Sequence, residues 1–121
     1  MFTVDTNILV YYAAADSKVV EFFDTHKYDT FYLPSIVMVE FLSYPLITPN
    51  AIERFREFVH QMLLVNLDFP IAELAAAVRR NQKLTLADAV IAASALFTNS
   101  ALVTRNERDF KKVQGLKPIT L

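Results

Sequence analysis

Four carboxylates stand at intervals that ask for one explanation: Asp5 in "FTVDTNILVYY", Glu40 in "VMVEFLSY", Asp88 in "LTLADAVIAASAL" and Asp109 in "LVTRNERDF". Three or four carboxylates brought together repel one another unless a cation binds them. Oxygen-only donors select hard cations, Mg²⁺ or Mn²⁺, over zinc. Such an ion polarises a phosphoryl group, lowers the pKa of a bound water and stabilises the leaving oxygen. The chemistry favoured is metal-assisted phosphodiester hydrolysis, with Thr6 and Thr104 available to orient carboxylates or water. No competing nucleophile is in view: the chain has no Cys, and its two His, His26 and His60, lie far apart with no ligand-like spacing.

Taken singly, each acid has an ordinary alternative. Asp5, after a strand and before a helix, suits an N-cap worth about 1 kcal/mol. Glu40 lies among Ile36, Val37, Met38, Val39, Phe41 and Leu42. It is therefore buried at a cost, lines a cleft, coordinates something, or is a solvated position on an unusually apolar helix. Asp88, three residues after Thr85, makes a weak capping box and suits the helix dipole. Asp109 reads equally as loop or as N-cap of "FKKV". The remaining acids, Asp16 among them, read as caps and solvated positions.

The elements that must position these acids alternate. Phe2 to Val4 predicts a short buried strand, with a helix over Ile8 to Ala14. Asp16 and Ser17 are cap candidates for the helix "KVVEFFDTH". "TFYLP" predicts a strand ended by Pro34, and Ser35 then caps "IVMVEFLSY". Thr48 and Pro49 form an N-cap and first-turn pair. The helix after them places Ile52, Phe55, Val59 and Met62 on one apolar face. "LLVNL" predicts a strand, "IAELAAAVRRNQ" and "ADAVIAASALF" Ala-rich helices, and "ALVT" and "KPITL" the last strands. Strands alternating with helices imply a parallel sheet covered on both faces. Ligands then sit beyond the C-terminal strand ends. That rule puts Asp5 and the Thr104–Asn106 segment on one edge.

Composition narrows the classes. The 121 residues suit a single domain over 1–121, and a hydrophobic share of 54% supplies a core with apolar surface to spare for a partner. A formal charge of −1 argues against holding nucleic acid by bulk positive charge. Absence of Cys fits an intracellular, cytoplasmic location. No stretch reads as a signal peptide, and no apolar run reaches the ~20 residues of a membrane span. With Gly115 the one glycine, Walker A, the dinucleotide Gly fingerprint and the Gly-flanked serine elbow are all missing.

The ordered set "VDTN", "SIVMVEFL", "RRNQKLTLADAVIAASAL", "LVTRNERDF" and "GLKPITL" resembles the PIN domain, and within it the VapC-type toxins of bacterial and archaeal toxin–antitoxin pairs. The resemblance covers essentially the whole chain. It implies a three-layer α/β/α sandwich around a parallel sheet and Mg²⁺- or Mn²⁺-dependent endoribonuclease activity. It also implies metal ligands at Asp5, Glu40 and Asp88, with Asp109 as the fourth acid. Some members carry that acid where this chain has Asn106. Thr104 matches the family's hydroxyl at the strand end, and Asn7 the Asn after the first-strand Asp. Homodimers and a cognate antitoxin are implied as well. An RNA substrate needs positive charge near the acids; Arg79, Arg80, Lys83, Arg105 and Arg108 are the candidates, each equally readable as solvated surface.

Other classes fare worse. A haloacid dehalogenase-type phosphatase wants a second Asp where Asn7 stands, and a receiver-like domain wants an acid pair where only Asp5 stands. A PIN-fold regulator that binds RNA or protein without catalysis stays open.

Overall fold

The computed structural model describes residues 1–121, and its five strands all run parallel. They are β1 (Phe2–Val4), β2 (Phe31–Pro34), β3 (Leu63–Val65), β4 (Ala101–Thr104) and β5 (Pro118–Thr120), in the order β3-β2-β1-β4-β5. Helices α1 (Thr6–Ala13) and α2 (Ser17–Thr25) join β1 to β2, and α3 (Ser35–Leu42) and α4 (Pro49–Val59) join β2 to β3. Helices α5 (Phe69–Asn81) and α6 (Leu86–Thr98) return the chain to β4, and α7 (Glu107–Phe110) precedes β5. The outward path to β3 and the return to β4 run in opposite directions across the sheet. Right-handed crossovers therefore set the first helices on one face and α5 and α6 on the other. The expected α/β/α sandwich is the fold observed.

The core follows from residue size. In α6 every residue from Ala89 to Ala95 is buried, and four of them are alanines without exposure. Those short side chains let α6 lie close across β1, β2 and β4. Ser94, polar inside this helix, donates its hydroxyl to the Val90 carbonyl at 2.8 Å, so no buried group is stranded. Within β1, Thr3 is fully buried and hydrogen-bonds Ser100, just before β4, at 2.6 Å.

Capping side chains decide most helix starts. Asp5 accepts from the Thr6 amide, so α1 begins at Thr6, two residues before Ile8. Asp16, Thr48, Asp68 and Thr85 cap α2, α4, α5 and α6. Two expectations fail. Ser35 is the first residue of α3, not its cap; its hydroxyl accepts from the Leu67 amide at 3.2 Å and anchors the loop before α5. Asp109 lies inside α7, whose N-cap position is held by Asn106 without a side-chain bond. No helix is long and apolar enough to cross a membrane.

Candidate active site

The path of the sheet reverses between β1 and β4, since one connection leaves β1 toward β2 and the other leaves β4 toward β5. The crevice beyond the C-terminal strand ends at such a reversal is where open parallel sheets bind ligands. Val4 pairs with Val103, and the Asp5 amide donates to the Val103 carbonyl at 3.2 Å. Asp5 and Thr104 are therefore neighbours at the mouth of that crevice.

Both carboxylate oxygens of Asp5 have one fixed donor. The Thr6 amide donates to Oδ1 at 2.8 Å, and the Thr104 hydroxyl donates to Oδ2 at 2.8 Å. The Asn106 amide donates to Thr104 Oγ1 at 2.8 Å, which leaves the Thr104 hydrogen to Asp5. Each Asp5 oxygen keeps further acceptor capacity. Thr6 also reaches the second acid: its hydroxyl donates to Glu40 Oε1 at 2.6 Å. Of the readings open for Glu40, the structure gives an exposed side chain on α3 tied down by that bond. Asp88 stands half-buried in the first turn of α6, its amide donating to Thr85 Oγ1 at 3.1 Å. Asp109 is half-buried on α7, and Asn7 is exposed.

The electrostatics join the four acids. Burial pushes the Asp5 carboxyl up to about 6; the charges of Asp88 and Glu40 add to the rise, while the Thr104 hydroxyl and Thr6 amide oppose it. Burial also raises Asp88, with Glu40 and Asp109 adding repulsion and Thr85 opposing. No lysine or arginine offsets the charge on either Asp5 or Asp88. Their donors are neutral hydroxyls and amides. The acids nevertheless form no closed cage: no group of three or more carboxylate or imidazole side chains is arranged to hold a metal ion. This donor set fits a cation that takes few protein oxygens and keeps the rest of its shell for water and phosphate, as Mg²⁺ does.

The basic residues divide. Arg79 and Arg80 end α5, Lys83 follows them, and all three are exposed around a shallow polar cleft that includes Thr85. Arg79 also donates Nε to the Leu84 carbonyl at 3.4 Å. Arg108 is exposed on α7. Arg105 departs from the expected phosphate role. Its guanidinium forms a two-pronged ion pair with Asp16, at 2.8 and 2.9 Å, and lies 4.2 Å over the Tyr11 ring. The fork that would grip a phosphate is already filled. Asp16 is the residue that sequence reasoning underrated; an 89-residue separation from its partner leaves no local signal.

A family model described as PIN domain matches residues 2–116. No curated protein matches the chain. Solved structures do. The chain is similar to VapBC2 from Rickettsia felis, bound to a promoter DNA fragment, with a TM-score of 0.86 at 19% identity, over 99% of this chain and 98% of that one. A toxin–antitoxin complex from Klebsiella pneumoniae gives 0.84 at 26% identity, over 96% and 95%. DNA-bound VapBC from Salmonella typhimurium gives 0.84 at 19%, over 98% and 96%.

Proposed function

The chain belongs to the PIN domain family, and from that premise we propose that it is a VapC-type toxin, an Mg²⁺- or Mn²⁺-dependent endoribonuclease that cleaves RNA phosphodiester bonds. The observation that carries this reading is Asp5: a buried carboxylate, fixed at both oxygens, with Asp88 and Glu40 repelling its charge and no basic side chain to offset them. Asp5, Glu40 and Asp88 would hold the ion, with Asp109 the fourth acid. When bound, the ion supplies Lewis-acid polarisation of the phosphoryl group and a more acidic water. The chain's own work is orientation. Thr104 and the Thr6 amide fix the Asp5 oxygens, and the Thr6 hydroxyl fixes Glu40 Oε1. The Asn106 amide in turn fixes Thr104 Oγ1, and Asn7 stands exposed in the first turn of α1 beside them. Arg79, Arg80, Lys83 and Arg108 supply the local positive charge that a chain of net charge −1 needs near an RNA phosphate.

The structural neighbours include toxin–antitoxin complexes, which supports a cognate antitoxin as partner. Leu46, Leu64, Phe69, Leu86 and Phe97, each at least half exposed, supply apolar surface for that partner and for a homodimer. The site of action under this reading is the cytoplasm. One observation favours a second reading, a PIN-fold regulator without catalysis: the acids form no closed ligand set. Two measurements separate the readings. Purified protein should cleave single-stranded RNA with Mg²⁺ or Mn²⁺ and stop on chelation, and Asp88→Asn should lose cleavage while keeping the native circular dichroism. Cleavage by the variant at the wild-type rate refutes the site. A melting temperature indifferent to millimolar Mn²⁺ favours the regulator, because binding to the native state alone must raise it.

A further inference from the structure

Thr104 and Arg105 are adjacent in sequence, yet they fasten opposite ends of α1. Thr104 donates to Asp5, the residue that caps the start of α1. Arg105 packs over Tyr11 in the last turn of α1 and pairs with Asp16 just beyond its end. From these contacts we propose that Arg105 is a positioning residue: with Asp16 it locks α1 against the end of β4, and so holds Asp5 and Thr6 in register with Thr104.

Three features make the lock specific. Charge-assisted two-pronged pairs have both strength and a fixed plane, and this one is partly shielded from solvent, with side-chain exposures of 24% and 27%. A third N–H, on Nε, donates to the Leu121 carbonyl at 3.1 Å. On the other side Asp16 is itself fixed, since its Oδ1 also accepts from the Lys18 and Val19 amides at the start of α2. Between α1 and α2 the chain passes through Ala15 at φ 59, a left-handed conformation that a β-carbon disfavours. A corner of that kind keeps its shape when something outside it holds it. The lock leads to the acids by a short path: Thr6, at the start of α1, donates its amide to Asp5 and its hydroxyl to Glu40. Movement of α1 along β4 would disturb both bonds together.

The inference rests on the metal-nuclease reading for its effect on activity, and on the fold alone for its effect on α1. Two variants test it in the full chain. Arg105→Lys keeps the charge and loses the fork. Asp16→Asn keeps an N-cap acceptor for α2 and loses the ion pair. Each should weaken Mn²⁺, measured as the Mn²⁺ concentration that half-saturates the rise in melting temperature, by about ten- to a hundredfold, the usual range for residues that orient metal ligands. The kcat on a single-stranded RNA should fall in step, while KM for RNA and its salt dependence stay at wild-type values. The double variant should be no worse than the worse single one, because the pair acts as a unit. KM separates the alternative role: a raised KM for RNA in Arg105→Lys but not in Asp16→Asn would make Arg105 a phosphate ligand and overturn the proposal. Unchanged Mn²⁺ affinity in both variants would overturn it as well. If wild-type protein itself ignores Mn²⁺, the nuclease reading fails, and amide exchange then judges the lock. Faster exchange at Thr6 in both variants, with Ile91 in α6 unchanged, supports it; unchanged exchange at Thr6 overturns it.

Discussion

Asp5→Asn should make the metal-free protein more stable, although it removes the central residue of the proposed site. Proton linkage sets the sign of the effect. A free Asp titrates near 3.8, and burial among acids pushes Asp5 up to about 6. A group whose pKa is raised on folding contributes stability that is fully present below 3.8 and is lost as pH rises through about 6. Above that range the ionised Asp5 costs about 3 kcal/mol. An amide at position 5 never ionises and escapes this cost. It keeps the N-cap acceptor for Thr6, since Asn caps about as well as Asp. It presents Thr104 Oγ1 with a donor in place of an acceptor, a mismatch that costs about 1 kcal/mol. The balance is a gain of about 1–2 kcal/mol at pH 7.5, or about 4–8 °C in melting temperature for a chain of this size. Differential scanning fluorimetry in chelator reads it directly. The gain should shrink as pH falls below 6, vanish between about pH 5 and pH 4, and give way below that to the small loss left by the Thr104 mismatch. In Mn²⁺ at about a hundred times its Kd the order should reverse, since wild type regains about 2.7 kcal/mol and the variant nothing. A variant no more stable than wild type in chelator at pH 7.5 would refute the claim that Asp5 is an uncompensated buried charge.

Two further outcomes follow from the same contacts. Mn²⁺ affinity should fall about tenfold between pH 7 and pH 5 from Asp5 alone, because the metal binds the ionised form and the proton competes with it. The raised Asp88 deepens the fall, and a flat calorimetric titration across that range would contradict it. Thr104→Val, nearly isosteric, removes the donor to Asp5 and the acceptor for the Asn106 amide. It should lower stability by about 1–3 kcal/mol and drive the Asp5 carboxyl above about 6, since that hydroxyl is the strongest group holding it down. Thr104→Ser should restore both in thermal melts and in the pH profile of Mn²⁺ binding.

What the sequence disclosed and what it hid divide along contact range. Asp5 and Thr104 were legible because each follows or ends a short apolar run, and parallel strands bring such ends to one edge. Asp88 was legible because Thr85 and an almost wholly apolar helix mark the start of α6. Ser35 misled: as a hydroxyl after a proline it has the look of a cap, but Leu67, 32 residues away, takes its oxygen. Arg105 misled in the same way, because Asp16 captures its fork across 89 residues. Glu40 was ambiguous for another reason. Its helix lies at the rim of the sheet, where Val39 beside it is 59% exposed. An apolar neighbourhood in sequence did not mean a buried one in space. Side-chain partners set by tertiary packing leave no periodicity to read.

The two arginine questions, where Arg105 goes and why the acids lack a cation, have one answer. Arg105 directly follows the threonine that holds Asp5, so the fold brings its backbone close to that acid although 100 positions separate them in sequence. Were its guanidinium to turn toward Asp5, the opposite charge would pull the Asp5 pKa down and occupy the place of a metal. Instead Asp16 takes both prongs at the far end of α1. The ion pair thus does two things at once. It ties α1 to the end of β4, and it engages the guanidinium away from a carboxylate whose own donors are neutral, the Thr6 amide and the Thr104 hydroxyl. Neutral donors orient an oxygen without cancelling its charge. On the proposed reading, a site assembled in this manner would keep its negative charge for a divalent ion, and the cost of that charge without one is the physical reason the ion should bind.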